Sequence, residues 1–282
     1  MKNALNLKEI VGSYRIMYKK AIKLVFPVMS DLLFFLLFGL FISPVSSKIN
    51  EFFSVIGTKL IEGTGLVSSG YAPENYIKEM VSINPEIQGM IFKFILLFLL
   101  TLFIFFILFT FFQSISWFFC SRIKGVNIQF YRLMLGFAKA NLCWIAIFAA
   151  TQVFSAILFL NSAVSSNAGA SGTGNPVFYE FLVFTLFFFS FVSYALVVVG
   201  IKHPVLKSFG LFIRKTRYIT SSYLLMFLIF FILLPRITLF LSSSRLIMYI
   251  FLALAVIPLI SWSRIFLISV AENKFKVTNR LL

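Results

Sequence analysis

Two ionisable side chains lie inside strongly apolar runs: Asp31 in VFPVMSDLLFFLLFGLF and Arg264 in VIPLISWSRIFLISV. Charges held away from water are costly, so where they occur they pair, line a polar path or form a site. Gln113, at the end of a third apolar run, adds an uncharged donor and acceptor. A carboxylate, a guanidinium and an amide that meet in a low-dielectric interior make charge-assisted hydrogen bonds. Two plainer readings compete with this polar cluster. Ser30 or Asp31 caps a helix that starts after a break at Pro27, and Arg264 extends its head to the nearest polar boundary.

The remaining chemistry-bearing residues point elsewhere. His203 is the only histidine and stands before Pro204 without a carboxylate or thiol beside it, which fits an interfacial residue better than a metal ligand or a general base. Cys120 and Cys143 are the only cysteines and read as free thiols. No HExxH occurs, and no apolar run holds a pair of acids. The Gly- and Ser-rich stretch NSAVSSNAGASGTGNP, residues 161–176, lacks the lysine of a phosphate-binding loop and reads as a flexible connection. The expectation is a non-enzymatic chain with no cofactor, no metal and no catalytic residue.

The elements that must position Asp31, Gln113 and Arg264 are membrane spans. The chain is 282 residues long with 60% hydrophobic residues, 12% charged residues and a mean hydropathy of +0.99, outside the range of soluble globular domains. Between Lys93 and Gln113 lie nineteen uncharged residues, about 28 Å of helix at 1.5 Å per residue and so about the thickness of a bilayer's hydrocarbon core. Backbone groups in such a run are satisfied only internally, which makes it a transmembrane helix. The same reasoning places six spans at about 24–43, 90–119, 140–160, 178–201, 218–234 and 246–270, in one all-α integral membrane domain. Pro44 is expected to end the first. In the third, Ala146 and Ala150 form a small-xxx-small pair that points that face toward the bundle interior. The second, with eleven phenylalanines between Met90 and Phe119, reads as a lipid-facing wall whose inner end alone carries polar groups.

Three basic segments with apolar residues at helical spacing, 4–23, 121–139 and 202–217, precede the first, third and fifth spans. The chain thus reads as three hairpins, each led in by an amphipathic surface helix. With the N-terminus inside, cytoplasmic segments and tail carry eighteen lysines and arginines and the outer loops five, so both termini are expected in the cytoplasm of a multi-pass cell-membrane protein. That rule accounts for the net charge of +16 without nucleic acid, which is not expected as a partner. Lys19, Lys20, Lys23, Arg132, Lys139, Arg214, Lys215 and Arg217 become candidate contacts to anionic lipid headgroups. By helical rise Asp31 lies about 10 Å and Arg264 about 9 Å from the same membrane face, so the two can meet. Pro27 and Pro258 each remove a backbone hydrogen bond close by.

The three hairpins with basic lead-ins, together with Trp262-Ser263-Arg264 in the last span, resemble a broad group of uncharacterised prokaryotic, especially archaeal, six-span membrane proteins. That group is similar to the membrane domain fused to some glycerophosphodiester phosphodiesterases. The resemblance implies the six-span fold. No phosphodiesterase domain is present, so it implies no catalytic residue. Two functions then stand: a membrane scaffold or subunit that binds another membrane protein or its own copies, and a small transporter or permease built around Asp31 and Arg264.

Overall fold

The computed structural model describes residues 7–67, 85–167, 176–214, 223–233, 236–237 and 250–278. Every regular element among them is helical. Among the described residues, five helices are long and apolar enough to cross a membrane: Ala21–Phe52, Gln88–Lys124, Phe130–Thr151, Phe181–Val198 and Leu254–Glu272. Such a set makes this a multi-pass membrane protein. Of the fifth expected span, 218–234, the described part is a short helix over 223–227 and a π-helical turn at Leu228–Leu233. The expected loop contents of 68–84 and 168–175 lie outside the described residues.

Helix α1 (Leu7–Lys19) is the first basic amphipathic segment. A single 3₁₀ turn, Ala21–Leu24, joins it to α2 (Val25–Val67). Helix α2 runs through Pro44 rather than stopping there. A proline removes one hydrogen bond, and in an apolar helix that loss need not end the helix, since the other backbone groups still find their partners within it. Helix α3 (Pro85–Lys124) contains the whole phenylalanine-rich run and stops at Gly125, whose φ of +93° lies in the left-handed region that glycine tolerates.

The second basic segment departs from expectation. It is not a separate surface helix but is split between the end of α3 and the first turns of α4 (Phe130–Asn167). Nothing between Lys139 and Ala140 breaks a helix, so lead-in and span form one rod. The small-residue face of that rod is also corrected, since Ala146, Ala149 and Ala150 are exposed. The buried stripe is Leu133, Phe137, Ala140 and Trp144, the i, i+4, i+7, i+11 rhythm of an inward face. Large side chains supply that face, with Gly136 beside them facing Val197 of the following span.

Helix α5 (Pro176–Val198) ends in a turn with Gly200 at φ +80°. Gly200 N donates to Val197 O and Ile201 N to Leu196 O, which satisfies carbonyls at the helix end. Helix α6 (Pro204–Arg214) is the third basic segment, here a separate helix. After a π-helical turn at Leu252–Val256 comes α7 (Ile257–Thr278). The chain divides into two compact units, 33–109 and the remainder, with the breaks inside α2 and α3. The smaller unit is held by edge-on aromatic contacts, among them Phe34 with Phe105 and Phe109 and Phe38 with Phe105 at 5.4 Å. In the larger unit, α5 packs on α4, α6 and α7, and α1 packs on α7.

Candidate functional site: a buried guanidinium cluster

Asp31, Gln113 and Arg264 meet inside the larger unit. Asp31 is 2% exposed and Arg264 1%, so the guanidinium relies on protein groups in place of water. Arg264 donates from Nη1 to Asp31 Oδ2 at 2.5 Å and from Nη2 to Asp31 Oδ1 at 3.0 Å, the fork geometry that suits a carboxylate. Each nitrogen also has a second acceptor. Nη1 donates to Ser116 Oγ at 2.5 Å, and Nη2 donates to Gln113 Oε1 at 2.8 Å.

Helix geometry explains why α3 supplies two of these acceptors. Gln113 and Ser116 are three residues apart and project from one face, with Trp117 one position further. Ser116 in turn donates to Pro27 O at 3.3 Å, and Ser30 donates to Phe112 O at 2.9 Å. The first turns of α2 are therefore stitched to the end of α3 at the level of the ion pair. Ser30 acts here as a tie between two helices and not as a helix cap. Cys120 is fully buried, with its Sγ 3.8 Å from Ser261 O.

Trp117 connects this cluster to a second, uncharged one. The Arg264 guanidinium carbon lies 6.0 Å from the centre of a Trp117 ring, within reach of a cation–π attraction. Trp117 also meets the edge of Tyr194, and Tyr194 stacks on Phe137 at 4.8 Å. The Tyr194 hydroxyl donates to Asn141 Oδ1 at 2.6 Å, while Asn141 Nδ2 donates to Thr110 Oγ1 at 2.9 Å. One turn further along α4, Trp144 Nε1 donates to Ser193 Oγ at 2.8 Å. Polar bonds thus join α2, α3 and α7 in one cluster, and α3, α4 and α5 in the other.

Sequence reasoning missed Ser116, Trp117, Thr110, Asn141 and Tyr194. The signal was the pattern Thr110, Gln113, Ser114 and Trp117 on one face of an otherwise apolar helix. Ser121 and Lys124 also stand at Ser-x-x-Lys spacing, but the Ser121 hydroxyl is buried and donates to Phe118 O at 2.7 Å.

The basic residues expected at headgroups are placed differently from one another. Lys19 and Lys23 are exposed. Lys20 is exposed too, yet its Nζ donates to Ile123 O at 2.7 Å at the end of α3, where a cation complements the helix dipole. Arg132 and Lys139 are exposed and line a cleft with Lys202 and His203. Arg214 belongs to α6, with its side chain outside the description, and Lys215 and Arg217 lie outside the described residues. No protein-family model, curated protein or solved structure matches this chain.

Proposed function

We propose that this is a non-enzymatic membrane scaffold or partner subunit with six spans in three hairpins, both termini in the cytoplasm, and a closed polar lock joining α2, α3 and α7. The observation that carries this reading is how fully the two terminal nitrogens of Arg264 are engaged. Both terminal nitrogens are engaged twice, by Asp31, Ser116 and Gln113, and pair and acceptors are buried. A permease needs a polar site that water or solute reaches near the midplane; a buried, matched pair suits a fixed helix arrangement. The positive-inside count supports the sidedness, and the alternation of strongly basic segments with loops poor in base supports the hairpins.

Native mass spectrometry of the protein extracted from its own membranes tests the proposal. The expected species is a stoichiometric assembly with another membrane protein or with further copies of the chain. A free 32.2 kDa chain as the sole species would count against it.

The permease reading draws on one observation. Trp117 Nε1, Ser261 Oγ, Trp262 Nε1 and Arg264 Nε are buried without a hydrogen-bond partner, a cost that a second, wetter conformation would relieve. Reaction of a Ser116→Cys/Cys143→Ser variant with a water-soluble thiol reagent, applied to either side of reconstituted vesicles and absent from Cys143→Ser alone, would favour that reading.

A further inference from the structure

At the end of the larger unit where α4 begins and α5 ends, a cleft of about 760 Å³ opens between α4, the turn after α5 and the start of α6. Three cations, Arg132, Lys139 and Lys202, line it together with His203, and among the described residues no acidic side chain does. These four side chains are exposed. The rest of the lining is largely apolar, including Ile128, Val197, Ile201 and Leu206. Cleft and cations together are therefore amphipathic, with positive charge above an apolar floor.

The backbone of the turn adds to the positive character. His203 has φ +54°, a conformation uncommon for a residue with a side chain and held only where its surroundings fix it. Its carbonyl accepts from Lys207 N at 3.0 Å, which starts α6. Pro204 carries no N–H, so Val205 and Leu206, both in the lining, present the first free donors of the helix. A helix of eleven residues directs the positive end of its dipole there.

We propose that this cleft binds an anionic phospholipid, with the phosphate held by Arg132, Lys139 and Lys202 and the glycerol and first acyl carbons on the apolar floor. A free phosphate ion matches the cations equally well but leaves the apolar lining exposed, and the cleft has the size of a small-molecule site. The proposal rests on the chain being a membrane protein. It does not depend on the sidedness or the scaffold role proposed above, because the test uses solubilised protein.

The protein carries its own reporter. Cys143 lines the cleft and is exposed, and the other cysteine, Cys120, is buried. The rate of Cys143 alkylation by a fluorescent maleimide is measured on the full chain in a non-ionic detergent, with added short-chain phosphatidylglycerol, short-chain phosphatidylcholine or inorganic phosphate. Phosphatidylglycerol is expected to slow labelling, and the double variant Arg132→Gln/Lys202→Gln to need about thirtyfold more lipid for the same protection.

An Arg15→Gln variant, altered on α1 away from the cleft, serves as control and is expected to behave as the parent. Tryptophan fluorescence on heating confirms that each variant is folded. Should the double variant fail to fold, Lys139→Gln alone is expected to need about fivefold more lipid. Equal protection by phosphatidylcholine, equal protection by inorganic phosphate, or unchanged protection in folded cleft variants would each overturn the proposal.

Discussion

The guanidinium cluster and the basic cleft use the same residue types to opposite ends. Arg264 is matched by one carboxylate and two neutral acceptors and is buried. Arg132, Lys139 and Lys202 are exposed, in a cleft with no acid among the described residues of its lining. A charge neutralised inside the protein fixes which helices lie together, since any other arrangement leaves it unpaired. A charge left facing outward contributes little to the fold and remains free to attract something. The difference between the two regions is thus one between internal specification and external recruitment.

Six substitutions, two of them paired with a compensating change, break or sharpen that contrast, from the largest effect to the smallest. Arg264→Ala leaves a buried carboxylate without its partner and is expected to cost about 3 to 5 kcal/mol, read as a shift in an SDS or thermal unfolding transition of the solubilised protein. Asp31→Arg is expected to be comparably damaging, and adding Arg264→Asp is expected to restore part of the loss; no restoration would show that pairing is not what the two residues supply. Next comes Gly136→Ala. The added Cβ would stand 2.5 Å from Val197 Cγ1, and the forced shift is expected to cost about 1 to 3 kcal/mol, recovered by Val197→Ala in the same chain.

Tyr194→Phe removes one donor from Asn141, and a loss of about 1 kcal/mol is expected by the same unfolding measurement. Smallest of all, Arg132→Gln and Lys202→Gln should each leave the unfolding transition within about 0.5 kcal/mol of the parent. A large destabilisation from either would mean that the cleft cations, too, hold the fold.

Much of this was legible in the sequence, for identifiable reasons. The depth of Asp31 and Arg264 follows from helical rise and the ends of the apolar runs, so their meeting could be expected before any helix was placed. Which face of each helix turns inward is another matter. Ala146 and Ala150 have the spacing of a packing face, yet they are exposed, because Leu133, Phe137 and Trp144 bury far more apolar surface on the opposite rhythm. Segment ends were similarly elusive. Pro44 reads as a stop but lies within α2, and the basic run 121–139 reads as a surface helix but belongs to two rods. Local signals mark where a helix can end, whereas the stop is decided by whether the next turn still finds partners. Asn141 and Tyr194 carried no local signal, since only the packing of α4 on α5 makes them neighbours.

The 233 residues that separate Asp31 from Arg264 also set an order in time. At a synthesis rate of about 5 to 20 residues per second, Asp31 precedes its partner by roughly 10 to 50 s. Gln113 and Ser116 emerge in between, so the α2–α3 hairpin can offer the carboxylate neutral company first. The lock closes only when α7 arrives, so a chain cut short before it leaves the Asp31 carboxylate without its cation.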